Sequence, residues 1–212
     1  IYGTYHTSLP QYAQILTGDH IIEDLVWKFT LWYYDQMDLI YVPSSSTGDE
    51  LVDKGISESK IRLFPRGVDL ERFHPAKRNG YLKSRYQIKD VTTLLYVGRV
   101  SKEKNLHLLA EVFKDLYKIS QIHLLIVGDG PYLKEMKDQM ADMPCTFTGS
   151  LSGEDLSVVY ASSDIFVFPS TTDTFGNVVL EAQASGLPVI VTDQGGPHEN
   201  MVTEETGLIA RG

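Results

Sequence analysis

The sequence predicts an α/β protein whose larger part is a doubly wound domain built on a parallel sheet, and three observations carry that expectation. From about residue 92 onward, five short apolar runs alternate with amphipathic stretches. Each run is apolar on both faces, as a strand must be when helices cover the sheet on two sides. Each run also ends on small or polar residues, and such sheets bind their ligands at the carboxyl ends of their strands.

The strands are expected at Thr93–Val97, His123–Val127, Cys145–Thr148, Ile165–Phe168 and Val189–Thr192. Helices are expected near 104–118, 131–141, 153–162 and 177–185. The strand ends read Gly98-Arg99, Gly128-Asp129-Gly130-Pro131, Gly149-Ser150, Pro169-Ser170 and Asp193-Gln194-Gly195-Gly196. One such glycine is only turn chemistry. Small residues at four ends, with charged groups beside them, describe a crevice where the backbone at Gly98 and Gly128 can come close to a ligand. The first 70 residues are organised differently. An aromatic-rich helix is expected over 20–36, and its Ile21, Leu25, Val26, Phe29, Trp32 and Tyr33 fit a wide buried face. A strand at Leu39–Val42, a helix at 45–54 and a strand at Ile61–Phe64 follow, and Pro65, Gly67 and Pro75 mark a hinge-like connection.

Bulk composition narrows the functions available. The chain has 212 residues, 42% apolar and 22% charged, enough for one large domain or one domain and part of another. Its 28 acidic and 19 basic residues give a net charge of -9, which argues against broad binding to nucleic acid. Cys145 has no partner for an internal disulfide and reads as a buried strand thiol, which makes a reducing, cytoplasmic compartment the expectation. No apolar run reaches the length of about 18 residues that a membrane helix needs.

Two motifs carry chemistry. In Ser170-Thr-Thr-Asp173-Thr-Phe175-Gly176-Asn177-Val-Val-Leu-Glu181, two carboxylates straddle a strand-to-helix turn. Phe175, Gly176 and Asn177 would offer free backbone N–H groups at a helix N-terminus, a natural anion site. Glu181 lies one turn beyond Asn177 on the same face, so the two carboxylates could hold hydroxyls at two ends of a ligand. Read singly, Asp173 is a helix cap and Glu181 a solvated acid. In Val97-Gly98-Arg99-Val-Ser-Lys102-Glu-Lys104-Asn105, Arg99 and Lys104 flank a loop leading into a helix, with Lys102 as a second choice. Two cations there would neutralise a diphosphate; alone, they read as solvated surface charges. Gly128-Asp-Gly130-Pro131 lacks the third glycine of a dinucleotide fingerprint, and Pro131 is simply a good helix starter, so a nicotinamide cofactor is not expected. His6 follows a strand end and has no second histidine or cysteine at metal-ligand spacing.

Taken together these segments resemble the group 1 glycosyltransferases (glycosyltransferase family 4), retaining enzymes of the two-domain GT-B fold. The likeness runs from the His6 segment and Pro-Arg-Gly-Val-Asp69 through the Arg99 and Asp173–Glu181 motifs to Gly195-Gly-Pro-His-Glu199. It implies that residues 1–72 are the C-terminal portion of an acceptor-side domain and 73–212 a Rossmann-like donor-binding domain, cut before its end. It implies that Arg99 and Lys104 bind the donor diphosphate, that Glu181 holds the ribose, and that Ser150 and Leu151 line the base pocket. Asp173, with the backbone of Phe175, Gly176 and Asn177, would hold the transferred sugar, and His6 would reach toward it from the acceptor side. The first acidic position, usually glutamate in the family, is Asp173 here.

The activity so implied is transfer of a hexose from a UDP- or GDP-sugar to a lipid, polysaccharide or other glycan hydroxyl, without metal or further cofactor. The other readings are a non-catalytic nucleotide-sugar binding module and a different GT-B enzyme, such as a nucleotide-sugar epimerase. The family pattern further leads one to expect a glycine-rich opening before residue 1 and a final strand with helices after Gly212. The segment would then bind donor weakly and transfer little, and membrane association would be peripheral, through the preceding half.

Overall fold

The computed structural model describes residues 1–211 and contains two parallel sheets. The first is formed by β1 (Tyr2–Thr4), β2 (Leu39–Val42) and β3 (Ile61–Leu63), in that order. Around it run α1 (Leu9–Thr17), α2 (His20–Asp35) and α3 (Ser45–Asp53). After α4 (Tyr81–Tyr86), the second sheet alternates with helices as far as β8 and ends on β9: β4 (Thr92–Val97), α5 (Leu106–Tyr117), β5 (Ile122–Val127), α6 (Leu133–Gln139), β6 (Cys145–Gly149), α7 (Gly153–Ser162), β7 (Ile165–Phe168), α8 (Asn177–Ala184), β8 (Val189–Thr192) and β9 (Gly207–Ala210).

The second sheet has the order β6-β5-β4-β7-β8-β9. The strand order therefore reverses between β4 and β7, which pair through Leu94↔Ile165 and Leu95↔Phe166. Past the carboxyl ends of those two strands the connecting loops diverge to opposite sides and leave a crevice. The sheet is covered as the apolar runs require: Leu95, Tyr96, Leu124, Leu125, Ile126 and Phe166 are each 0% exposed. Burial of each such side chain contributes roughly 1.5–3 kcal/mol, which is what holds the strand ends rigid beneath the crevice.

Four sequence expectations are corrected. The wide buried face on α2 is not there: Ile21, Leu25, Phe29 and Trp32 are between 59% and 70% exposed, and Tyr33 is exposed too. The helix buries a narrower stripe of Trp27 and Thr30, flanked by half-buried Leu31 and Tyr34, because one helix lying on a three-stranded sheet presents only one ridge to it. The helix expected near 104–118, α5, starts at Leu106, since Lys102–Lys104 close a separate 3₁₀ turn and Asn105 takes a left-handed backbone, φ 57°. Residues 207–210, for which no strand was expected, form strand β9, paired with β8 through Val189↔Gly207. Cys145 is only half-buried on the edge strand β6, although burial still pushes its thiol up to about 12. Among the described residues, no helix is long and apolar enough to cross a membrane. Residue 212, the limit of the expected second domain, lies outside the described residues.

Candidate functional site

The crevice between β4 and β7 opens into a cavity of about 410 Å³. That lies within the roughly 300–1,000 Å³ range of small-ligand sites. One wall comes from the loop after β4. Gly98 turns the chain, the Tyr96 hydroxyl donates to the Arg99 carbonyl at 2.9 Å, and the Arg99 side chain remains exposed at the rim. The 3₁₀ turn that follows tucks Lys104 inward to 8% exposure, while Lys102 stays in solvent, 3.5 Å from Glu135. The structure thus separates the two lysines that spacing left equivalent.

The opposite wall is the loop between β7 and α8. Asp173 accepts from the Lys104 ammonium at 2.7 Å. Burial would depress the Lys104 pKa, but the Asp173 carboxylate and the Tyr12 hydroxyl more than offset it and hold it above its usual value. Asp173 is therefore not a helix cap. Helix α8 has no side-chain cap at all: Gly176, at φ 78°, occupies the N-cap position, and Gly176, Asn177 and Val178 line the cavity. Uncapped N–H groups at a helix start attract negative charge.

Gly195 and Gly196 hold this loop in place. The Gly196 N–H donates to the Asp173 carbonyl at 2.8 Å, and a Cβ on either glycine would collide with the carbonyls of Asp173 or Thr174. Gly128 has a similar part elsewhere. Its φ is 139°, and a side chain there would strike the Gly98 carbonyl, so its lack of a Cβ serves loop-to-loop contact behind the crevice.

His6, Gly98, Arg99, Lys104, Asp173, Phe175, Gly176 and Asn177 all line the cavity; Gly128, Ser150, Leu151 and Glu181 do not. Ser150 is exposed and Leu151 half-buried beyond β6, at the far edge of the sheet. Glu181 is half-buried on α8 and accepts from the Tyr160 hydroxyl at 2.9 Å, so it is not a solvated acid. Burial raises its pKa, against the lowering effects of Tyr160 and Arg72.

Three contributors were not singled out from sequence. Arg66, inside the Pro-Arg-Gly-Val-Asp69 stretch, lines the cavity and makes no ion pair among the described residues. Tyr12 lines it from α1, a helix absent from the sequence expectations. Glu199 joins the two sheets: its carboxylate accepts from the Ser45 and Ser46 N–H groups, at 2.7 and 2.6 Å, at the start of α3. The Gly195–Glu199 motif was visible in the sequence, but its partner on α3 was not.

Comparison with known proteins agrees with this geometry. The family described as "Glycosyl transferases group 1" matches residues 82–211, and "Glycosyltransferase Family 4" matches residues 1–72. The chain is 35% identical to the sulfoquinovosyl transferase SQD2 of Arabidopsis thaliana over 96% of its own length and 40% of that protein's. It is 39% identical to a GDP-mannose-dependent alpha-mannosyltransferase of Corynebacterium glutamicum, over 86% of its own length and 43% of that protein's. The chain therefore spans less than half of either relative. Among solved structures, Anabaena Alr3699/HepE in complex with UDP and glucose superposes with a TM-score of 0.82 at 19% identity, over 99% of this chain and 57% of that one. Two family profiles in sequence, and an α/β fold of GT-B type around the crevice, lead to one conclusion: the chain belongs to the group 1 glycosyl transferases, glycosyltransferase family 4.

Proposed function

We propose that this chain carries the donor site of a retaining hexosyltransferase that uses a UDP- or GDP-sugar and a lipid, polysaccharide or other glycan acceptor, without a metal. The observation that carries the reading is the convergence of Arg99, Lys104 and the uncapped start of α8 on one cavity at the strand-order reversal. The GDP-mannose-dependent mannosyltransferase among the relatives supports a nucleotide-activated sugar. In this reading the nucleoside extends from the cavity toward Ser150, Leu151 and Glu181, and the sugar lies against Asp173 below His6.

Two cations and helix N–H groups stabilise the charge that develops on a departing diphosphate. The acceptor oxygen bonds to the anomeric carbon on the face from which the diphosphate leaves. The bond to the diphosphate breaks with its electron pair on the leaving oxygen, and that oxygen takes the acceptor proton. Configuration is then retained without a covalent intermediate. Asp173 orients the sugar, and His6 positions it from the acceptor side.

Calorimetry with UDP and GDP tests the site. Arg99→Ala and Glu181→Ala should each weaken nucleoside diphosphate binding by roughly 1.5–3 kcal/mol, the value of a lost charge-assisted contact. Absence of binding by the unaltered chain, or undiminished affinity in both variants, would overturn the assignment.

A further inference from the structure

The connection between the two sheets brings to the cavity a cation that the donor-side motifs do not contain. The Phe64 N–H donates to the Val42 carbonyl at 2.8 Å and ends the pairing of β3 with β2. Further along, the Asp69 carboxylate accepts from the Glu71 and Arg72 N–H groups, at 3.0 Å each, and Phe73 is 4% exposed in the core of the second sheet. The stretch between Phe64 and Phe73 is therefore anchored at both ends, and the Pro65 ring stiffens it beside Arg66. From this stretch Arg66 lines the cavity, whereas Arg99 and Lys104 line it from the loop after β4.

Without Arg66 the charged side chains around the cavity would cancel. Lys104 is matched by Asp173 at 2.7 Å. Arg99 is offset by Glu103, which lines the cavity, accepts from the Ser101 hydroxyl at 2.6 Å and forms no ion pair among the described residues. With histidine counted neutral, Arg66 is the unmatched cation, and an anion entering the cavity meets net positive side-chain charge because of it. Cleavage of the bond to the sugar leaves one more negative charge on the diphosphate than the donor carries. A free cation at that point therefore acts most strongly as the bond breaks. A guanidinium, moreover, can hold two phosphate oxygens at once.

We propose that Arg66 is a third cation of the donor site, supplied by the connection between the sheets, and that it binds the terminal phosphate of the departing diphosphate. The assignment rests on the donor-site reading above. Arg99 and Lys104 hold the diphosphate before and during transfer, and Arg66 adds its charge where the new negative charge appears.

Calorimetry on this chain tests it with UDP or GDP, whichever binds, the matching monophosphate, and UDP-glucose or GDP-mannose. Arg66→Gln should weaken diphosphate binding by about tenfold or more, and monophosphate binding by less than about twofold. The nucleotide sugar, whose second phosphate is a diester, should lose less affinity than the free diphosphate. Arg66→Lys keeps the charge and should recover most of the loss, while the unfolding midpoint of both variants stays in place. Arg62 donates to the Ser59 and Ile61 carbonyls and does not line the cavity, so Arg62→Gln should leave all three affinities unchanged. Undiminished diphosphate affinity in Arg66→Gln, equal weakening of monophosphate and diphosphate, or the same loss in Arg62→Gln overturns the proposal and leaves the donor site standing. So does a lowered unfolding midpoint with equal loss in Arg66→Gln and Arg66→Lys. Failure of the unaltered chain to bind any of these nucleotides would instead sink the donor reading beneath it.

Discussion

Lys104 and Lys102 stand two positions apart, and their surroundings give them opposite energetics. Lys104 has a side chain 10% exposed and an ion pair with Asp173, whose own side chain is 23% exposed. Lys104→Ala leaves that carboxylate inside the site without a counter-ion and should lower the unfolding free energy by about 1–3 kcal/mol in urea titration. Lys102→Ala removes an exposed charge 3.5 Å from Glu135 and should change stability by less than about 0.5 kcal/mol. Sequence spacing could not separate the two, because the difference comes from a 3₁₀ turn and a left-handed Asn105 that rotate only one of them inward. The Asp173 and Glu181 motif was legible as a pair of carboxylates. The partners each actually takes, Lys104 and Tyr160, lie 69 and 21 residues away and are fixed only by the sheet order.

Elements were legible in proportion to how much of their surface is buried. Strands β7 and β8 were expected at the bounds observed, because a strand covered on both faces writes a continuous apolar run into the sequence. Helix α4 has six residues, too few for a period of 3.6 to repeat. Helix α1 keeps Leu9, Ile15 and Leu16 in solvent, so its apolar residues do not mark a buried side. Helix α2 shows the opposite failure, where abundant aromatics suggested more burial than one sheet face provides. The consequence is measurable. Trp27→Ala removes a side chain 5% exposed and stacked under the Lys54 ammonium at 4.9 Å, and should cost about 3–5 kcal/mol. Trp32→Ala, at 61% exposure, should cost less than about 0.5 kcal/mol in the same urea titration.

At the scale of the molecule, the two sheets are joined by a short list of polar contacts rather than by a shared apolar core. The two core clusters are separate, and Glu199 supplies the charged link between them. Burial acts to raise the Glu199 pKa, but the hydrogen bonds from Ser46 and Ser45 outweigh it and hold the carboxyl below its usual value. A depressed carboxylate stabilises the folded state above the unfolded pKa and loses that contribution as pH falls through the folded one. Thermal unfolding of the unaltered chain and of Glu199→Gln should therefore differ near neutrality, by about 0.5–1.5 kcal/mol for an exposed group. The two curves should converge in acid, below about pH 4. A gap that persists there would mean that the clamp does not depend on charge.

Thr174 binds this junction to the donor wall. Its carbonyl accepts from the Ser44 and Thr47 hydroxyls at 2.6 and 3.2 Å, and its own hydroxyl donates to the His6 carbonyl at 2.8 Å. Its neighbour in the chain is Asp173. Any rocking of the three-stranded sheet against the six-stranded one must pull on Thr174, and through one peptide bond it turns the Asp173 carboxylate, which the proposed function sets against the donor sugar. In the proposed donor site, movement of one sheet against the other and reorientation of Asp173 would thus be a single mechanical event.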